Sequence, residues 1–206
     1  LLQPGLRAAI EVSKYPGPQS PRSGHRLLFL GGFRHLPNLE ALQWFFREVA
    51  PLLIARHVPF TVTAIGADPP PLYSLPNAEG HLELKGFVED LAPYWEASTV
   101  FLCPIQAGSG VRVKLLEAFA AGLPVVSTRL GAEGLAQQDG EFCRLADTPA
   151  AFADAIQRRL ADPTAAHDMA LRARRHVEQD WDNQIVTQRL AASYRQILAA
   201  KSRLPQ

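Results

Sequence analysis

The sequence lacks most of the features that would place it in a specialised class of protein. Its formal net charge is +1, so it has no overall basic field, and this argues against nucleic acid as a partner. Only two of its 206 residues are cysteines, Cys103 and Cys143, and no metal-ligand spacing surrounds either of them. We therefore expect both to be small buried residues rather than a disulfide or a metal site, which suits a reducing, cytoplasmic compartment.

Long apolar runs are also absent. No run approaches the roughly 18 residues needed to span a bilayer, and the N-terminus lacks the basic-then-apolar pattern of a signal peptide. We expect a soluble domain, although these absences do not exclude a peripheral contact with a membrane through another part of a longer protein. A hydrophobic content of 47% over 206 residues is sufficient for one well-packed globular domain.

Short apolar runs alternate with segments of helical periodicity along most of the chain. The predicted strands are Leu27–Leu30, Phe60–Ile65, Leu82–Leu84, Thr99–Cys103, Val125–Thr128 and about Phe142–Leu145. The predicted helices are Leu39–Leu53 with Asn38 as N-cap, Asp90–Ala97, one from Val111 that ends before Gly122, Pro149–Leu160, Thr164–Glu178 and Asp182–Lys201. This alternation predicts an α/β fold, with a parallel sheet of about six strands, helices on both faces and a helical C-terminal extension.

The most informative stretch lies between Pro104 and Thr128. It joins a strand, the flexible loop Gly108-Ser109-Gly110, a helix and the next strand. An apolar stripe on the helix suits packing against a sheet, and its members are Val111, Leu115, Ala118 and Phe119. This order of elements is typical of a loop that presents its backbone to a ligand.

Two cations stand where this helix makes them unfavourable. Arg112 and Lys114 lie in its first turn and a half, where the helix dipole disfavours each cation by roughly 0.3 to 1 kcal/mol. A bound phosphate or diphosphate would remove the conflict, because free loop N–H groups, both cations and the dipole would converge on it. Glu117, one turn further on, could accept hydrogen bonds from sugar hydroxyls. The alternative is a tight turn before a core helix with solvated charges, and the residue types alone leave both readings open.

The run GSGVRVKLLEAFAAGLPVVST, followed by GAEGL, resembles the donor-binding half of retaining GT-B glycosyltransferases, in particular glycosyltransferase family 4. The similarity extends over about residues 26–200. It implies that Arg112 and Lys114 contact the diphosphate of a nucleotide-sugar donor and that Glu117 holds the ribose, so these three are the candidate catalytic residues. The loop residues Gly108, Ser109, Gly110 and Val111 are candidate donor-binding residues.

Two further loops join the site that the resemblance implies. The loop after the first strand approaches the donor phosphates in the family, which makes Gly32 and Arg34 candidates, with a plain surface arginine as the alternative for Arg34. The turn at Phe87 and Val88 borders the nucleobase, and an ordinary core position is the alternative for Phe87. Ser109 stands where the family often has a second glutamate that contacts the donor sugar, so the sugar contacts differ here.

The resemblance also implies a domain organisation. Residues 27–165 form a Rossmann-like donor-binding domain, one half of a GT-B fold, and residues 166–206 form C-terminal helices. The proline-rich residues 1–26 are a linker from an N-terminal acceptor-binding domain of the same protein. The donor is a substrate, and neither a metal nor a cofactor is expected. The chain alone is expected to bind the donor without useful turnover.

Other functions remain open at this point. A sugar-nucleotide epimerase of the same fold would also bind a diphosphate at a helix start, and a degenerate donor domain would serve as an interaction module. A dinucleotide-dependent dehydrogenase fits poorly, because the segment from Gly31 to Leu36 lacks the third glycine of the fingerprint and no acidic residue closes the second strand.

Overall fold

The computed structural model describes residues 9–15, 17 and 20–201. Its strands are β1 (Arg26–Leu30), β2 (Thr61–Ile65), β3 (Leu82–Lys85), β4 (Val100–Cys103), β5 (Val125–Ser127) and β6 (Arg144–Leu145). They form one parallel sheet in the order β3-β2-β1-β4-β5-β6. The predicted fold is confirmed. The strand order reverses between β1 and β4, and in open α/β sheets a ligand crevice forms at such a point.

The two strands at the centre of the sheet, β1 and β4, are almost entirely apolar because helices cover both faces of the sheet. Leu28 of β1 pairs with Thr63 of β2 on one side and with Phe101 of β4 on the other, and all three are fully buried. Cys103 and Cys143 are buried and unpaired, as predicted. Among the residues described, no helix combines the length and the apolar character needed to cross a membrane.

The helices are α1 (Leu36–Trp44), α2 (Ala50–Ala55), α3 (Ala92–Ala97), α4 (Val113–Ala120), α5 (Pro149–Ala161), α6 (Pro163–Asp180) and α7 (Asn183–Lys201). A π-helical turn, Phe45–Val49, joins α1 to α2. Phe45 packs edge-on against Phe152 of α5 on one face of the sheet. On the other face, Arg174 of α6 donates a hydrogen bond to the carbonyl of Ala120 in α4.

Three predicted helix starts are wrong by two or three residues, and one of them is α3, which begins at Ala92 rather than Asp90. The first helix begins at Leu36 rather than Leu39, with His35 and not Asn38 as N-cap, because Pro37 fits the first turn, where its missing N–H is not needed. The side chain of Asn38 is therefore free for other contacts. The helix predicted from Val111 begins at Val113, with Arg112 as its N-cap.

The C-terminal helices follow the predicted bounds within two residues. Trp181 connects α6 to α7 and is buried, and its indole N–H donates a hydrogen bond to Nε2 of His176 at 3.2 Å. Trp181 therefore anchors the junction of α6 and α7 to the body of the domain.

Residues 10–15, here called the N-terminal strap, pack onto the body of the domain, which differs from a free linker. Ile10 and Val12 are buried. The N–H of Ile10 donates to the carbonyl of Trp181 at 3.1 Å, and the carbonyl of Ile10 accepts from the N–H of Asn183 at 2.8 Å. Positions 1–8, 16, 18 and 19 of the predicted linker lie outside the described residues.

Candidate functional site

A cavity of about 430 Å³ lies at the carboxyl edge of the sheet. Leu30 ends β1 and Gly31 follows it, Gly66 follows β2 and Ile105 follows β4, and all four line the cavity, as does the start of α4. The cavity therefore occupies the crevice that the reversal of strand order predicts, and its volume is in the range of small-ligand sites.

Arg112 lines this cavity and carries two buried donors that have no partner among the described residues. Its Nη1 donates to the carbonyl of Ser109 at 2.8 Å, which folds the guanidinium back over the glycine loop. Its Nε and Nη2 are buried and have no hydrogen-bond partner among the described residues. A buried donor without a partner costs roughly 1 to 3 kcal/mol. Since no described residue supplies an acceptor for these two nitrogens, an added acceptor such as an anion would remove this cost.

Lys114 lies beside it on the first turn of α4. Its Nζ donates to the carbonyl of Leu30 at 2.8 Å and to Oδ1 of Asn38 at 2.7 Å, and it sits 5.1 Å from the ring centroid of Phe29. An ammonium has three donors, so one remains for the cavity. The reading of this charge as solvated is wrong. Burial lowers the pKa of Lys114, and nearby Arg112 acts in the same direction, so a bound anion would relieve both effects.

Glu117 lines the cavity one turn further along α4. Its Oε1 accepts a hydrogen bond from the hydroxyl of Tyr15 at 3.0 Å. Burial raises the pKa of the Glu117 carboxyl, and the hydrogen bond from Tyr15 opposes this rise. The carboxylate is thus half-buried and held from one side, with oxygen lone pairs left for a ligand.

The glycine loop has the backbone freedom that its sequence predicts. Gly108 and Gly110 have φ values of +96° and +93°, which favour glycine. The expectation that its N–H groups are free is wrong for Gly110, whose N–H donates to Oε2 of Glu133 at 2.8 Å. Glu133 comes from the loop after β5, so a carboxylate of the protein occupies a place that suits an anionic ligand.

The structure brings Phe87 and Val88 to the cavity wall. Phe87 is 78% exposed, so its alternative reading as a core residue is wrong. A large exposed aromatic ring beside a cavity offers a flat apolar face to a planar ligand group.

Five of the predicted donor-binding residues are not among those that line the cavity: Gly32, Arg34, Gly108, Ser109 and Gly110. Arg34 is 86% exposed and pairs with Asp68 at 2.9 Å. Gly32 contributes its carbonyl to Nδ2 of Asn38 at 3.0 Å. The glycine that lines the cavity is Gly31, where an added Cβ would come within 2.6 Å of the Asn38 side chain.

Sequence reasoning missed three polar side chains of this site. Asn38 joins the loop after β1 to Lys114, His35 lines the cavity, and Tyr15 reaches Glu117. Proline favours the first turn of a helix, so Pro37 indicates that Asn38 lies inside the helix and is not its N-cap. No local pattern could have found Tyr15, which lies 102 positions from its partner.

Residues 24–162 match the family described as glycosyl transferases group 1. A curated relative, an uncharacterized 44.6 kDa protein in the cps region of Klebsiella pneumoniae, is 25% identical over 178 residues. That alignment covers 78% of this chain and 43% of the relative. This chain therefore spans less than half of the relative's length.

Two solved structures share the fold. The sucrose-phosphate synthase of Thermosynechococcus elongatus superposes with a TM-score of 0.70 at 21% identity, over 94% of this chain and 52% of that one. The Anabaena protein HepE, solved in complex with UDP, superposes with a TM-score of 0.72 at 16% identity, over 91% and 56% of the two chains. The match over residues 24–162 shows that this chain belongs to the group 1 glycosyltransferase family, and its parallel sheet has the Rossmann-like architecture of one half of a GT-B fold.

Proposed function

We propose that this chain binds the nucleoside-diphosphate sugar donor of a retaining, metal-independent glycosyltransferase of family 4. The complete protein transfers the glycosyl group to an acceptor that an N-terminal domain of the same protein holds. The observation that carries the proposal is the pair of buried, unpartnered nitrogens of Arg112, beside Lys114 at the start of α4. Two cations at a helix N-terminus suit a diphosphate better than a neutral ligand.

The diphosphate is the leaving group of the reaction, so charge develops on it as the glycosidic bond of the donor breaks. Arg112, Lys114 and the dipole of α4 stabilise that charge, and this electrostatic role requires neither a metal nor a cofactor. The groups are fixed before the reaction, because Ser109 and Leu30 already hold their side chains. Arg112 and Lys114 therefore favour the transition state over the ground state.

The residues of the cavity wall support positions for the ribose and the nucleobase of the donor. Glu117 accepts hydrogen bonds from the ribose hydroxyls, one turn away from the diphosphate. The nucleobase lies near Phe87 and Val88, where the exposed ring and the backbone border it. The complex of HepE with UDP supports UDP as the first nucleotide to test here, since that protein has the same fold.

The experiment is a thermal-shift panel of the whole chain with UDP, GDP, ADP and dTDP. A ligand at a hundred times its dissociation constant adds about 2.7 kcal/mol to the free energy of unfolding, which is readily detected. The panel is repeated on Arg112→Met and on the matched control Arg34→Met, an arginine whose exposed ion pair with Asp68 lies outside the cavity lining.

We expect one nucleotide to stabilise the wild type and the Arg34→Met variant but not Arg112→Met. Equal stabilisation of both variants would mean that the diphosphate does not bind at α4. If none of the four nucleotides shifted the wild-type transition, the donor-binding proposal would be wrong.

A further inference from the structure

The N-terminal strap contacts Glu117 of the cavity wall from a part of the chain that lies far away in sequence. Its last residue, Tyr15, donates its hydroxyl to Glu117 across 102 positions. On the strength of this contact and of the proposed function, on which the inference rests, we infer that Tyr15 is a positioning residue. It fixes the Glu117 carboxylate for the ribose diol of the donor.

Several contacts determine where the Tyr15 hydroxyl lies. The backbone N–H of Tyr15 donates to the carbonyl of Val12 at 3.1 Å, and its carbonyl accepts from Nη1 of Arg174 at 3.0 Å. Its ring packs edge-on against Trp95 with the centroids 6.3 Å apart. The backbone and the ring are therefore both held, so the hydroxyl meets the carboxylate at a defined point.

The other end of the strap is equally fixed. The N–H of Val12 donates to Oδ2 of Asp182 at 3.2 Å, and Ile10 pairs with the same segment between α6 and α7. A strap held at both ends loses little further conformational freedom when a ligand arrives, and preorganisation of this kind strengthens binding.

The hydrogen bond between Tyr15 and Glu117 leaves the carboxylate able to accept hydrogen bonds from a diol. Tyr15 donates, so it uses one lone pair on Oε1 of Glu117 and leaves Oε2 without a partner among the described residues. Two vicinal hydroxyls also donate, so they add to this hydrogen bond rather than compete with it. A diol requires the ionised carboxylate as acceptor. Burial favours the neutral form of Glu117, and the hydroxyl of Tyr15 counteracts that preference.

The test removes only the hydroxyl. Tyr15→Phe keeps the ring that packs on Trp95, and Tyr73→Phe, at an exposed tyrosine, is the matched control. Calorimetric titration gives the dissociation constants of each protein for UDP and for 2′,3′-dideoxy-UDP, or for the same pair of whichever nucleotide binds in the panel. The dissociation constant for the dideoxy nucleotide divided by that for UDP measures recognition of the diol alone.

We expect Tyr15→Phe to reduce this ratio by roughly three- to tenfold, the range of one hydrogen bond, with no change for the dideoxy nucleotide. Tyr73→Phe leaves the ratio as in the wild type. A merely structural role of Tyr15 would instead weaken both nucleotides equally, and that result would overturn the inference.

A second variant shows whether Tyr15 acts through Glu117. Glu117→Gln removes the charge that the diol requires, and adding Tyr15→Phe to it then changes the ratio no further. If the two effects simply added, Tyr15 would not act through Glu117 and the inference would fail. Binding of the nucleotide with an unchanged ratio in Tyr15→Phe overturns this inference alone, whereas absence of any nucleotide binding overturns the proposed function as well.

Discussion

The N-terminal ends of α4 and α6 differ in the charge that lies beside their free N–H groups. At α6, the carboxylate of Asp162 accepts the N–H of Ala165 at 2.9 Å, so a side chain of the protein satisfies a free amide and complements the helix dipole. At α4, the N-cap residue Arg112 makes no capping hydrogen bond and places a cation at the positive end of the dipole. A helix start that is complete in itself serves stability. The start of α4 lacks such a cap and is suited to an added anion, and in the proposed function this anion is the donor diphosphate.

The largest expected effect is at Lys114. In Lys114→Met the aliphatic stem still packs, but the carbonyl of Leu30 and Oδ1 of Asn38 lose their donor and the anion loses a cation. We expect the free energy of unfolding to fall by about 1 to 3 kcal/mol and nucleotide affinity to fall by roughly 10- to 100-fold. Urea denaturation and calorimetric titration measure the two quantities.

The variant Arg112→Met should change nucleotide affinity without changing the stability of the chain. Among the described residues the guanidinium has one hydrogen-bond partner and two nitrogens without one, so its loss should weaken nucleotide binding without lowering the thermal midpoint of the free chain. A free variant much less stable than the wild type would mean that Arg112 has a structural role, and α4 would then resemble α6.

The complementary change is Asp162→Ala at α6. Loss of the cap should lower the free energy of unfolding by about 1 kcal/mol, because the N–H of Ala165 loses its acceptor. Nucleotide affinity, measured by the same titration, should not change. Weaker binding in this variant would mean that the two helix starts are not independent.

A smaller effect is expected at Glu133. Its carboxylate occupies the N–H of Gly110 and adds a negative charge beside the proposed diphosphate site. Glu133→Gln removes that charge and should raise the affinity for a nucleoside diphosphate a few-fold, in the range of about 0.5 to 1 kcal/mol for an exposed charge. Weaker binding would show that Glu133 assists the ligand rather than competing with it.

The smallest effect concerns pH. Burial raises the pKa of Glu117, so this carboxylate becomes protonated at a higher pH than an ordinary glutamate as the solution is acidified. Recognition of the ribose diol should therefore decline as the pH falls through this raised pKa, while dideoxy nucleotides lose less affinity. Titration of both nucleotides at several pH values checks this, and parallel declines would contradict it.

Local sequence was sufficient to predict the sheet, most helix bounds and the cluster at α4. Strands and helices follow from periodicity, and Arg112, Lys114 and Glu117 lie close in sequence, so one short helix brings them together. Arg34 shows the limit. Its place after β1 is predictable, but the direction of its side chain, toward Asp68 and away from the cavity, depends on the neighbouring loop.

Contacts between distant segments could not be predicted in this way. Asn38 meets Lys114 across 76 positions, and Tyr15 meets Glu117 across 102. Each depends on how two elements pack, which periodicity does not encode. The N-terminal strap is the clearest case, since the prolines and the lack of periodicity in residues 1–26 predict a linker, while Ile10 and Val12 are buried against the domain.

The most direct test of the central claim is a crystal structure of this chain with the nucleoside diphosphate that the thermal-shift panel selects. The account predicts that the diphosphate lies at the start of α4, with its oxygens within hydrogen-bond distance of Nε and Nη2 of Arg112 and of Nζ of Lys114. A nucleotide bound elsewhere, with both Arg112 nitrogens still unpartnered, would contradict it.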